Sequence, residues 1–205
     1  MSVQPAEREV AKYAGMYRKA LRIKGIQEPE EKTARYAARL RAMYASPQFR
    51  AHDVYPTMNV RSVYAVIAMC LELRAFGLSD AAIMAFTDAA FSGRRAFFDG
   101  LIRLIDRLPN SFQIARRWNI KDHARRVRDH SITYERFEVT GDAVTYRISK
   151  CMYVEMFEAY GIRELCKIFC NTDTRCYSGL ARHVIFIRHS DLSDGPCCAD
   201  EVRRR

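Results

Sequence analysis

The sequence is short of chain breakers and of long apolar runs. Nine glycines and six prolines are spread through 205 residues without clustering, so they mark no linker. The longest apolar run, around Val63–Leu73, contains Glu72. It falls well below the roughly 20 apolar residues that a bilayer span needs, so no membrane-spanning helix is expected. The opening stretch MSVQPAEREVAK carries acids and has no apolar run, so a secretory signal is not expected either, and a cytoplasmic location is expected. A reducing compartment fits the odd cysteine count of seven, which suits a disulfide framework poorly. There is no phosphate-binding Walker loop, no dinucleotide-binding glycine pattern, no Gly-x-Ser-x-Gly elbow and no His-Glu-x-x-His pair. Internal repeats and low-complexity tracts are missing as well.

The chain does have enough apolar residues for a sizeable core and an excess of positive charge. Hydrophobic residues make up 49% of the chain, and the net charge is +10. The bases recur along candidate helices, as in Arg116–Arg128, rather than forming one patch. A solvated basic surface is therefore expected, and nucleic acid is not expected as a partner.

Helical spacing of apolar residues predicts helices over residues 6–24, 30–44 and 60–76. The third is apolar nearly all round. It should be central and buried, or could equally meet a second copy in a homo-oligomer. Ser79 is a good N-cap for the next helix. Residues 81–91 and 94–108 read as one long or kinked helix. Phe112–Arg128 is basic and amphipathic, with Trp118 placed to anchor it to the core. His123 and His130 in this segment read as surface residues.

The period then changes from 3.6 to 2. Ile132, Tyr134, Phe137 and Val139 form one strand, Thr140–Asp142 turns, and residues 143–148 return as a hairpin. Helices are expected over 151–160 and 163–176, a strand over 183–189, and an edge strand from Cys197. The fold class is therefore α+β. A helical region, 1–130, should pack on residues 131–205, a small antiparallel sheet with two helices, most simply as one domain.

Six of the seven cysteines lie between Tyr146 and Asp200: Cys151, Cys166, Cys170, Cys176, Cys197 and Cys198. With Ser149 as N-cap, Cys151 would open a helix, where free amides, the dipole and Lys150 favour a thiolate. Cys166, Cys170 and Asp173 share a helical face. Adjacent residues on a strand point opposite ways, so only one of Cys197 and Cys198 can join them. Cys166 and Cys176 read as structural. Zinc held by cysteines with His183 or His189 is the weaker alternative, because no Cys-x-x-Cys knuckle is present. Neither a metal nor another cofactor is expected.

Taken together, Cys151 with Met156-Phe157, Gly161 to Leu165, Phe169-Cys170 with Asp173, and Gly195 to Cys198 resemble the L-2-amino-thiazoline-4-carboxylic acid hydrolase family. The resemblance covers about residues 131–200. Ala199 and Asp200 stand where the family usually has an acid and an aromatic. The resemblance implies a small-molecule hydrolase that acts on a non-peptide carbon–nitrogen bond, opening the cyclic amidine to N-carbamoyl-cysteine. Either Cys151 or Cys170 would be the nucleophile, Cys198 would complete the thiol set, and Asp173 would hold or protonate the ring nitrogen. Arg147 or Arg182 would pair with the substrate carboxylate. The alternative is a non-catalytic sensor with the same cysteine-lined pocket.

Overall fold

Apolar residues spaced three and four apart build seven successive helices before the first strand. The computed structural model describes the backbone of residues 3–205 and the side chains of residues 6–92 and 96–205. The helices are α1 (Val3–Ile23), α2 (Pro29–Tyr44), α3 (Pro47–Ala51), α4 (Thr57–Ala75), α5 (Asp80–Ala90), α6 (Ser92–Asp106) and α7 (Ser111–Arg128). They are succeeded by β1 (Ile132–Val139), β2 (Ala143–Cys151), α8 (Met152–Glu158), a 3-10 turn (Arg163–Cys166), α9 (Lys167–Ser178), β3 (Val184–Ser190) and β4 (Cys198–Arg204). The chain is thus α+β. None of the described helices is long and apolar enough to cross a membrane. The chain divides into two compact units, Met1–Gly93 and Arg94–Arg205.

In the first unit α4 is the central element. Every residue from Val63 to Cys70 is buried, and α1, α2 and α5 pack around it. Its all-round apolar character is therefore used inside a single chain. Tyr17 and Tyr36 stack at 4.6 Å, and the Tyr36 hydroxyl donates to the Ala65 carbonyl of α4. The buried acid of this helix, Glu72, is met by Arg39. Pro47 does more than stop α2. With Ser46 accepting a hydrogen bond from the Phe49 amide, it starts the short α3. Residues 81–108 form two helices that part at Phe91, not one.

The second unit holds the sheet, whose order is β1-β2-β4-β3, antiparallel throughout. The hairpin turn is fixed by Thr140, whose amide donates to the Ala143 carbonyl and whose Oγ1 accepts from the Ala143 amide. The last strand differs from expectation. β4 is not an edge but lies between β2 and β3, and β1 and β3 are the edges. Its inward residues explain the position. Val202 lies opposite Val144 and Phe186, and Asp200 lies opposite Tyr146 and Arg188. Each neighbour supplies a partner of matching polarity.

One sheet face is covered. Val144, Val184 and Val202 pack with Ile102 of α6, Phe112 and Ala115 of α7, and Leu180. On β1 the inward residues change parity between Tyr134 and Phe137. The register slips there, an irregularity of the β-bulge kind that keeps both rings on the covered side. Trp118 does not anchor α7. It stands at the surface, 36% exposed, while Ser111, Phe112, Ala115 and Asn119 form the buried stripe. His123 is not a plain surface residue, since its ring stacks on Phe137 at 3.8 Å.

The end of α8 depends on a glycine. Gly161 has φ +66°, and the amide of the next residue, Ile162, reaches back to the Phe157 carbonyl. Replacing Gly161 with Ala should cost about 1–2 kcal/mol, because a Cβ is strained in the left-handed region. Gly141 has open space around it and no positive φ. Gly141→Ala should therefore leave stability unchanged or slightly raised in urea unfolding, and equal losses at the two sites would contradict this reading.

Candidate active site

Between α7, α8, α9 and the covered sheet face lies a cavity of about 590 Å³ that opens to solvent. Cys151, Cys170, Asp173 and Cys198 all line it. The two arginines expected to hold a substrate carboxylate do not. Arg147 alternates to the outer sheet face and pairs with Glu135 at 2.7 Å, and Arg182 pairs with Asp106 at 3.4 Å. Arg126 and Arg188 line the cavity in their place.

Arg188 organises the floor. It extends from β3 toward β4, where Nε and Nη2 each meet one Asp200 oxygen at 2.9 Å. The Asp200 side chain is 2% exposed and that of Arg188 16%. This is the bidentate geometry in which guanidinium and carboxylate bond most strongly. The remaining donors reach α9. Nη1 donates to the Cys170 carbonyl at 2.7 Å, and Nη2 lies 3.4 Å from Asp173. Burial works against the Arg188 charge, but Asp200 and Asp173 outweigh it and keep the guanidinium protonated.

Cys151 is the last residue of β2 and the residue from which α8 starts, with φ −139° and ψ 124°. Ser149, expected as the cap, is an exposed strand residue. Burial pushes the Cys151 thiol up to about 11. The amides of Tyr153 and Val154 and the charge of Arg126 act in the opposite sense and are outweighed. The helix start therefore does not make Cys151 a thiolate in the empty cavity.

Cys170 sits in the first turn of α9, one turn after Cys166. Cys166 is fully buried and does not line the cavity, and its contact with Cys170, with burial, raises its pKa far above the ordinary value. Cys198 begins β4 and faces the cavity. Its sulfur accepts the Leu192 amide at 3.3 Å, yet burial still pushes it up to about 12. Cys197 is buried beside Ser190 and does not line the cavity, so Cys198 is the member of the pair that faces it. The turn between β3 and β4 is held by Arg163, which donates to the Leu192 and Gly195 carbonyls. Gly195 has no room for a side chain there, since a Cβ would lie 2.9 Å from the Asp191 carbonyl oxygen. Cys176 lines the cavity too, with its thiol pushed up to about 11 by burial.

Asp173 is raised to about 6, first by desolvation and then by Asp200, with Arg188 acting against both. Its side chain is still 58% exposed. It is surrounded by protein yet open toward the cavity, so a cation bound there would act with Arg188 and lower it.

Opposite, Arg126 of α7 pairs with Asp122 and donates from Nη1 to the Tyr153 hydroxyl at 3.1 Å. Its side chain is 16% exposed, and Nη2 has no partner among the described residues. Tyr153 stacks on Phe169 at 5.0 Å. Asn119 donates to the Tyr177 hydroxyl, fixing a ring that stacks on Phe186. Among the described residues no three His, Cys, Asp or Glu side chains are disposed to hold a metal ion.

Sequence reasoning missed Arg126, Arg188, Asp200 and Tyr153. Arg126 is one of many bases on α7, distinguished only by its i,i+4 acid, Asp122. Arg188 carried a usable signal, a lone guanidinium at the end of the apolar run Val184–Ile187.

This thiol- and carboxylate-lined cavity, carried on an α+β unit, is the candidate site. The sequence model of the L-2-amino-thiazoline-4-carboxylic acid hydrolase family matches residues 63–200, and the chain belongs to that family. The match reaches back well beyond the cysteine-bearing segment, into α4. No curated protein and no solved structure matches the chain.

Removing one half of the floor pair should be costly. Asp200→Ala leaves Arg188 with only the longer contact to Asp173 for its charge and should lose about 3 kcal/mol in urea unfolding. The double change Arg188→Met with Asp200→Leu should recover most of that loss. A small effect of Asp200→Ala alone would show that the pair is not buried in solution.

Proposed function

We propose that the chain hydrolyses a cyclic amidine carboxylate of the 2-amino-thiazoline type, with Cys170 as nucleophile. The observation that carries this is the set of groups around the Cys170 sulfur. Cys170 lines the cavity beside Asp173, and Arg188 donates to its carbonyl and reaches Asp173 from the same guanidinium. The residue also lies in the first turn of α9. A cation and the amino end of a helix are the surroundings in which cysteine nucleophiles are found. Cys151 and Cys198, held protonated by burial, form the neighbouring wall.

The substrate carboxylate is placed on the free Nη2 of Arg126, whose planar fork suits it. The amidine enters protonated and hydrogen-bonds to the Asp173 carboxylate. The Cys170 thiolate attacks the ring carbon that bears the sulfur and both nitrogens. The adduct expels the ring sulfur, since a thiol with a pKa near about 8.5 leaves more readily than an amine. An isothiourea on Cys170 remains. Asp173 takes a proton from water as the water adds to the same carbon, and the bond to Cys170 breaks, restoring the thiolate. One water proton passes through Asp173 to the freed thiol. The other goes to solvent, balancing the proton that the amidinium brought.

The product keeps both nitrogens on the carbon, as N-carbamoyl-cysteine does. Atom balance thus makes carbon–sulfur the bond broken in the substrate. Breaking the ring carbon–nitrogen bond would leave the carbamoyl group on sulfur.

Cys170→Ala should lower turnover by about 10³-fold or more. It should also remove the isothiourea adduct from intact-mass spectra of acid-quenched reactions. Wild-type turnover in that variant would rule out the covalent route. Asp173 acts as a base and is raised to about 6. kcat/KM should therefore fall as pH drops below about 6, and Asp173→Asn should abolish this limb of the profile. A binding module without turnover is the second reading, favoured by the protonated state of Cys151 and Cys198. It requires ligand uptake with no product at any pH.

A further inference from the structure

We infer that the substrate of this cavity carries an aromatic arm on its amidine ring, reaching from the thiols to Trp118 at the rim. The inference rests on the hydrolase reading above and concerns which molecule that site accepts. A bare amino-thiazoline carboxylate is a single five-membered ring with two small polar substituents. The cavity, at about 590 Å³, falls in the size range of pockets that enclose much larger ligands. Its lining also offers more than charge. Trp118, Tyr134, Phe137, Tyr146, Tyr153, Phe169 and Tyr177 bring seven rings to it from α7, β1, β2, α8 and α9.

The polar groups that the reaction uses are fewer, namely Cys170, Asp173 and Arg126. They account for a ring with a carboxylate and leave the Trp118 end of the cavity without a role. Trp118 points the same way. It is the chain's sole tryptophan and is 36% exposed while lining the cavity. Among the described residues it stacks on no other ring and contributes nothing to the buried stripe of α7. Lys121 and Arg125 come three and seven residues after it and line the same cavity, so one face of α7 forms the rim. An indole left open at such a rim is a flat apolar surface that suits an aromatic ring by stacking.

The test compares 2-amino-thiazoline-4-carboxylate with its 5-phenyl derivative on the intact protein. Binding is measured by calorimetry, product by chromatography, and Trp118 emission by fluorescence. The expected result is a Kd at least tenfold lower for the phenyl compound, with quenching of Trp118 by that compound and little by the parent. Trp118→Ala should shrink the ratio of the two Kd values by about tenfold. Equal affinities, or a ratio unchanged by Trp118→Ala together with unquenched emission, would overturn the aromatic-arm inference. If the parent compound is then hydrolysed, the hydrolase reading survives that failure. Tight, quenching binding of the phenyl compound with neither compound hydrolysed supports the arm and sinks the hydrolase reading. Binding of neither compound overturns both.

Discussion

The site depends on one buried ion pair, Arg188 with Asp200. Two charges taken out of water are unfavourable unless every donor finds an acceptor. Here the geometry satisfies that demand in a way that also builds the floor of the cavity. Both Asp200 oxygens are taken by Arg188, and the guanidinium then extends to the Cys170 carbonyl and to Asp173. The edge strand β3, the central strand β4 and helix α9 are thereby held in one hydrogen-bonded unit. The positions of the thiol and the carboxylate proposed for catalysis are set by where that guanidinium can lie.

Burial gives the cavity its chemical character. It raises the thiols of Cys151, Cys176 and Cys198 and the carboxyl of Asp173, because a low-dielectric surround disfavours each charged form. An apolar wall of this kind suits a ring substrate but leaves most sulfurs inert. The distinction between them comes from neighbours, not from depth. Arg188 donates to the Cys170 carbonyl and so brings its positive charge to the turn that carries the proposed nucleophile.

Much of this was legible in the sequence. The change of period at Ile132 located the sheet, Thr140–Asp142 located the hairpin turn, and the pattern singled out Cys151, Cys170 and Asp173 with one of Cys197 and Cys198, of which Cys198 shares the cavity with the other three. The misses have a common physical origin. β4 reads as a polar edge because Asp200 looks solvated until its partner on β3 is known. Arg147 and Arg182 were chosen for closeness in sequence, and the period of two along β2 puts Arg147 on the opposite face. Arg126 was lost among the bases of α7, since burial of one base among many is set by tertiary packing. Ser149 was expected as the cap because the strand runs three residues further than its apolar pattern, as far as Cys151. Trp118 was assigned to the core on residue type alone.

The most direct measurement on the central claim is the alkylation rate of each cysteine in the native protein, read by peptide mapping across pH. Iodoacetamide reacts with thiolates, so the order of labelling reports which sulfur carries the charge. The expected result is that Cys170 is labelled first, ahead of Cys151, Cys166 and Cys198, and that Arg188→Met slows it toward the others. Labelling of Cys151 ahead of Cys170, or a Cys170 rate indifferent to Arg188, would contradict the assignment.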